Sequence, residues 1–433
     1  MTMNLRLQAP PLSARVNAET IASALAKLIA SGAATTKADL ARTTGLARST
    51  VDTGLRALFD LGALRIQGLR AVSGRGRPAE TLEIDPAFGV VVVIECELRG
   101  TRIRAYDLGQ NLLDECTVDL AISAGPEAVL DAVVRSTRAL LAPFESSVRH
   151  RTTVVSVPGP VDYRAGSVFR PPIMPGWDGF AVVDHLRSRL GGFVLLENDV
   201  NVRALGEARA ADAGVGPLLY VTIGAGIGCG IVTGDGRLLR GADGAAGDIG
   251  HLTVRGETAP CDCGNRGCLE AVASAGALAR ASSDRVGSGP DAVSRFTALV
   301  ATRDASCTAL AESAAAMIGE SLSMLVHFYN PSRIVVGGEL AEATDEILAI
   351  VRGVVYRRAL PLATRNLSIG PSVLGDDAGF AGGLVLGLEH SFDEEALGEM
   401  LTSRARAAQL GAVTPLRFPE SSAGLRFGAR SVR

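Results

Sequence analysis

Three cysteines within eight residues, Cys261, Cys263 and Cys268 in the run APCDCGNRGCLE, can bring three thiolates to one point, because Gly264 and Gly267 let the intervening chain turn back on itself. His251 is the only histidine nearby in sequence. Neutral imidazole is the usual fourth partner of a Cys3His zinc site, which has no open position and is therefore structural. Without metal the same residues are free thiols in a turn, and a disulfide would need an oxidising compartment that nothing else in the chain supports. A histidine bound through one ring nitrogen still has the other for a hydrogen bond. With Glu270 two residues beyond Cys268, the loop can therefore hold polar groups around a small polar ligand.

The chain around this loop has 433 residues, room for two or three domains, and a 47% hydrophobic composition ordinary for a globular protein. No uninterrupted run approaches the roughly 18 apolar residues of a membrane span. The N-terminus has no signal-peptide core, and the seven cysteines are an odd number, so the sequence predicts a reducing cytoplasm and no membrane partner. Charge is unevenly spread: the net is -3, yet residues 1–80 carry 11 Lys or Arg against 5 Asp or Glu. One end suits phosphate and the rest does not.

In residues 1–85 the pattern predicts a DNA-binding head. Ile21, Leu25, Leu28 and Ile29 share one face of a helix over 17–31, with Asn17 as its cap. A short helix at 37–43, a turn at Thr44 to Ala47 containing Gly45, and a second helix from about Arg48 to Leu61 have helix-turn-helix spacing. Leu40, Leu46, Val51, Leu55 and Leu58 supply its core. Arg48, Ser49, Thr50, Thr53 and Arg56 would face base edges and phosphates. A strand pair follows, whose glycine-rich tip carries Arg75 and Arg77 as a basic wing. Gly54 costs the recognition helix about 1 kcal/mol of propensity, so its helicity must come from packing. A small protein-interaction domain with a solvated charge run is the competing interpretation.

Residues 86–390 read as α/β. Runs such as VVVVIECEL, VVSVPGP, VLLEND, LLYVTIGAG and RIVVGGEL are strands with glycine-rich or acidic exits, alternating with helices, and residues 271–330 are mainly helical. Such a fold binds ligands at strand ends, between two lobes. Residues 391–433 form a C-terminal extension with one predicted helix and a frayed basic end.

From about residue 17 to 390 the chain resembles the repressor, open reading frame and kinase (ROK) family, whose most specific mark is the zinc loop, here CDCGNRGCLE. The head, including GRGRP, is similar to that of the family's transcriptional regulators; its sugar kinases lack one. The resemblance implies a winged helix-turn-helix followed by a duplicated actin-like ATPase fold, ribonuclease H-like, with sugar between the lobes. LLENDVNVRALGE matches the sugar-binding segment, so Asn198 and Asp199 would contact hydroxyls, and in a kinase Asp199 would be the general base. Read alone, that run is a strand-to-helix turn with Asp199 as a cap. Asp248, standing where glutamate is usual, His251 and Glu270 complete the implied sugar contacts. Ile173 replaces the asparagine common before the Pro-Gly-Trp turn, which shifts the expected ligand away from glucose or N-acetylglucosamine.

On the nucleotide side the resemblance implies Glu97, Gly100 and Thr101 in the first phosphate loop, Gly224, Gly226 and Gly228 in the second, and Gly338 near adenosine. The first loop departs from the family: Glu97 lengthens the usual aspartate and Arg99 obstructs close amide approach to phosphate. ATP and magnesium are therefore doubtful cofactors, and Arg99 could instead meet a phosphorylated sugar. The retained glycines could equally serve the backbone. The expectation is a sugar-responsive regulator, acting as a homodimer or homotetramer on operator DNA, with a sugar or sugar phosphate as effector. Its rivals are an ATP-dependent sugar kinase with a DNA-binding head, and a ligand-insensitive DNA-binding protein that keeps the body as scaffold. Trp177 reads as packing beside the cleft, with sugar stacking as the alternative.

Overall fold

The computed structural model describes residues 2–12, 17–70, 78–144, 150–210, 214 and 216–409. The wing-tip arginines Arg75 and Arg77 and the tail beyond 409 lie outside the described residues.

The first helices are α1 (Ala18–Ala30), α2 (Lys37–Thr44) and α3 (Arg48–Leu61). Asn17 and Thr36 cap α1 and α2 through their side chains, and Gly45 ends α2 at φ +70°. Strands β1 (Leu64–Arg70) and β2 (Ala79–Ile84) pair antiparallel behind them. Leu25, Leu40, Val51, Leu55 and Leu58 are buried together, as the sequence pattern requires. A Cβ on Gly54 would lie 2.7 Å from Ile21 Cγ2 and 2.8 Å from Leu25 Cδ1, so α3 is glycine there because α1 leaves no room. Gly54→Leu should lower the thermal stability of the head by about 1–3 kcal/mol through overpacking, despite the better helix propensity. An unchanged melting curve would exclude this close crossing.

The body contains two sheets. Strands β3 (Val90–Cys96), β4 (Thr101–Asp107), β5 (Leu112–Val118), β6 (His150–Val157) and β9 (Phe193–Asn198) form the first, in order β5-β4-β3-β6-β9; a small hairpin of β7 (Val161–Asp162) and β8 (Ser167–Val168) lies apart. Strands β10 (Leu218–Ile223), β11 (Ile227–Val232), β12 (Arg333–Gly337) and β13 (Ser368–Pro371) form the second, in order β11-β10-β12-β13. Each sheet begins with an antiparallel meander and continues with parallel strands, the second having one meander strand fewer.

Helices of the first lobe are α4 (Pro126–Leu141), α5 (Val182–Leu190) and α6 (Asp199–Arg209); the second lobe carries α7 (Leu269–Ala273), α8 (Ala275–Ala281), α9 (Ser283–Val286), α10 (Ala292–Ala301), α11 (Ala305–Tyr329), α12 (Glu339–Ala343), α13 (Asp345–Arg358) and α14 (Pro361–Thr364). Helices α15 (Ala378–Ser391) and α16 (Glu394–Gln409) end the described chain. Strand β3 is apolar except for Glu95, and both its faces are covered. Val90, Val92 and Ile94 point to the α4 and α5 side, Val91 and Val93 to α15 and the head helices.

One core thus crosses the boundary expected near residue 85, joining Leu25 and Leu55 to Tyr106 and Phe380. An N-terminal arm, of which the sequence reading made nothing, adds to it. Leu5 is 3% exposed, bridges to Ala210, and is held by the Gln110 side chain, which also donates to Ala30 O at 2.9 Å. Alternation in LRLQ was the available signal. Among the described residues, α11 is long and apolar enough to cross a membrane by length and composition, a property the search for uninterrupted apolar runs overlooked; half of its apolar window is buried. Its packing against α7, α8 and α13 is that of a lobe's central helix.

Candidate functional site

His251, Cys261, Cys263 and Cys268 converge, their ligand atoms all within 4.8 Å of one another. Cys263 Sγ and Cys268 Sγ are 3.7 Å apart, as are Cys261 Sγ and His251 Nδ1. A tetrahedral ion with sulfur ligands at about 2.3 Å and nitrogen at about 2.0 Å has edges of about 3.5–3.8 Å, so this donor set fits a metal ion. The glycines act as expected: Gly264 and Gly267 have φ of +92° and +71°, and a Cβ on Gly267 would lie 2.4 Å from Glu257 O. Nδ1 faces the sulfurs while Nε2 lies 3.9 Å from Asp248 Oδ1. One imidazole therefore belongs to two sites.

The polar residues expected around a small ligand gather about β11. Glu270 Oε2 accepts from Ile227 N at 3.0 Å and also borders Gly250, the neighbour of His251. A Cβ on Gly228 would meet Val200 Cγ2 at 2.7 Å, so the start of α6, with Asn198 and Asp199, rests on the same strand. Capping falls on Asn198 and not on Asp199: Asn198 Oδ1 accepts from Val200 N and Asn201 N, and its Nδ2 donates to Gly159 O at 3.1 Å. Trp177 is fully buried and donates to Ile122 O at 3.0 Å, which leaves packing as its role and no face for a sugar.

On the nucleotide side the retained glycines have backbone reasons. Gly226 leaves space for the Glu270 carboxylate, Gly228 for α6, Gly100 for Val118 O, and Gly338, at φ +95°, for Ile223. Only Gly224 faces open space. Arg99 pairs with Asp291 at 3.1 Å and donates to Pro290 O and to Ser294 Oγ on the other lobe, so in this structure it ties the two lobes together.

Two arginines and one acid were missed from the sequence. Glu95, an acid inside an otherwise apolar strand, is buried and pairs with Arg102 at 2.7 Å; Glu97 pairs with Arg102 at 2.8 Å and Arg203 at 4.0 Å. Thr101 is buried beside them. Burial pushes the Glu95 carboxyl up to about 7 and that of Asp199 to about 6, against the opposing pull of Arg203 in both cases. A carboxyl raised in the folded state binds its proton more tightly there than in the unfolded chain. Its contribution to stability is therefore full below the ordinary carboxylate range and is lost as pH rises to about 7. Glu95→Gln should accordingly gain stability relative to wild type between pH 5 and pH 8, by on the order of 2 kcal/mol, in melts recorded across that range. A constant difference would show that Glu95 stays ionised throughout.

Arg48, Ser49, Thr53 and Arg56 are exposed along α3 and Thr50 is half-buried, while Val51, Leu55 and Leu58 of the same helix face the core.

Fold and site together define a two-lobed α/β body of the actin-like ATPase type, carrying N-terminal helices. The ROK family model matches residues 101–390, and the chain belongs to the ROK family. A glucokinase of Halalkalibacterium halodurans is 33% identical over 55% of this chain and 77% of its own. A xylose repressor of Bacillus spizizenii is 26% identical over 85% of this chain and 95% of its own. In fold, the crystal structure of a ROK family transcriptional regulator, a homologue of the Escherichia coli MLC protein, matches with a TM-score of 0.74 at 22% identity, over 89% of this chain and 99% of that one.

Proposed function

We propose that the protein is a sugar-responsive transcriptional regulator that binds operator DNA as a homodimer or homotetramer. Residues 1–85 act as a winged helix-turn-helix, in which Arg48, Ser49, Thr50, Thr53 and Arg56, with Arg75 and Arg77, contact DNA. The observation that carries this reading is the form of α3, which is apolar on its buried face and has two arginines and two hydroxyl side chains exposed on the other. The likeness to repressors over most of the chain supports it. Sugar is held by Asn198, Asp199, Asp248, His251 and Glu270. Zinc on His251, Cys261, Cys263 and Cys268 fixes the histidine ring so that Nε2 faces the ligand.

The path from ligand to head runs through α6. It starts at Asn198 and ends at Arg209, whose Nη1 donates to Arg6 O at 3.1 Å and to Glu389 at 2.8 Å, while Arg6 N donates to Arg209 O at 2.8 Å. Movement at the sugar end therefore reaches the arm that clamps α1.

A regulator without phosphoryl transfer is supported at the first phosphate loop, where the Glu97 carboxylate and that of Glu95 in the preceding strand are already paired with arginine. One observation favours the kinase alternative: Asp199, raised to about 6, has the proton affinity of a general base. Phosphorylation of any sugar by purified protein with ATP and magnesium would decide for it.

The test of the main reading is a gel shift on the chain's own upstream DNA at fixed salt, titrated with sugars and sugar phosphates. Release or tightening by one compound is expected; binding that ignores every compound would remove the sensor role. Arg48→Ala with Arg56→Ala should weaken binding by about tenfold or more and flatten the salt dependence. Unchanged affinity would move the DNA contact elsewhere.

A further inference from the structure

Between the lobes lies a cavity of about 360 Å³, bounded on one side by Leu98 and Ile173 and on the other by Ala225, Ala279, Ala292 and Val293. Glu270, proposed above to bind sugar, forms part of its wall, so the cavity opens off the sugar position. Its remaining charged and hydroxyl lining residues, Asp262, Arg280, Ser283 and Ser288, are exposed. The six apolar side chains themselves offer a sugar hydroxyl no hydrogen-bond partner, at a cost of about 1–3 kcal/mol for each hydroxyl buried against them. This part of the wall therefore favours an apolar group over a hydroxylated one. Size decides between the remaining choices: a single deoxy or methyl group is far smaller than the cavity, whereas about 150 Å³ of apolar space already accepts benzene.

We propose that the effector is a glycoside whose aryl or alkyl aglycone occupies this cavity, its sugar ring lying against Glu270. The inference rests on the sugar-sensor reading and names its ligand class. Arg99 crosses to Pro290, Asp291 and Ser294, immediately beside Ala292 and Val293, and so ties the Leu98 side of the cavity wall to the opposite one. Arg99 and Asp291 are half-exposed, at 49% and 62% of their side chains, and an exposed pair of this kind opens easily enough to admit a ligand.

The experiment compares glucose, xylose and N-acetylglucosamine with their phenyl β-glycosides, read on the full chain as the ligand-induced rise in melting temperature and as the change in DNA affinity. At least one phenyl glycoside is expected to bind about tenfold or more tightly than its parent sugar. Ala292→Phe, at a half-buried position facing the cavity, should abolish that advantage and leave parent-sugar binding unchanged; Ile173→Asn, at a position 42% exposed, should lower the affinity of the phenyl glycoside itself without threatening the fold. Parent sugars binding as tightly as every glycoside, with both variants unaffected, would overturn the inference and leave the sensor reading intact. If neither class bound or altered DNA affinity, both would fall.

Discussion

Cys268→Ser is expected to lower zinc content from one ion per chain to none and to lower the melting temperature by on the order of 10 °C, because in a site assembled by its own loop the free energy of binding metal is free energy of folding. Cys268 is fully buried and bridges to Thr253, while Gly267 O accepts from Val254 N. If the four residues hold zinc as proposed, losing the ion frees the loop together with His251 and Glu270. Ligand binding should therefore weaken more than the loss of a distant stabilising contact would explain. The direct measurements are metal analysis of purified protein and paired melts of wild type with and without a strong chelator. Full stability in both the chelated and the substituted protein would leave the four residues as a thiol cluster with no metal role.

The second large effect concerns α6 and α15. A Cβ on Gly382 would fall 1.8 Å from Val202 O and 2.9 Å from Gly206 N, both main-chain atoms of α6, and a Cβ on Gly206 would lie 2.1 Å from Ala378 O. No side-chain rotation can relieve such a clash; the helices must separate. Gly382→Ala should therefore destabilise the protein by about 3 kcal/mol or more. Since α6 runs from the proposed sugar residues to Arg209 and the N-terminal arm, the variant should also uncouple DNA affinity from any effector that still binds. Gly353→Ala in α13, where a Cβ meets nothing within 4 Å, is the matched control and should be neutral or slightly stabilising. Equal melting temperatures for the two variants would mean that the helices do not cross in backbone contact.

Much of this was present in the order of residues. The cysteine spacing with its glycines, the helix-turn-helix run from Lys37 to Leu61, and the strand-exit segments were legible because each rests on local geometry: a turn that needs a positive φ, a 3.6-residue period, or an apolar run with a glycine stop. Asn198 shows where that legibility ends. Its type and position suit either a cap or a sugar contact, and only the packing of α6 against β11 assigned the cap to Asn198 and left Asp199 half-buried near Arg203.

What tertiary structure alone decided were pairings across long sequence separations. Arg99 finds Asp291, Glu95 lies in the field of Arg203, Gln110 finds Leu5 and Ala30, and Gly382 finds Val202. None of these carries a period or a motif, since a charge or a missing Cβ specifies only that some partner is needed. Which partner it meets depends on how the two sheets and the head close around one another, and that is set by the shape of the whole core.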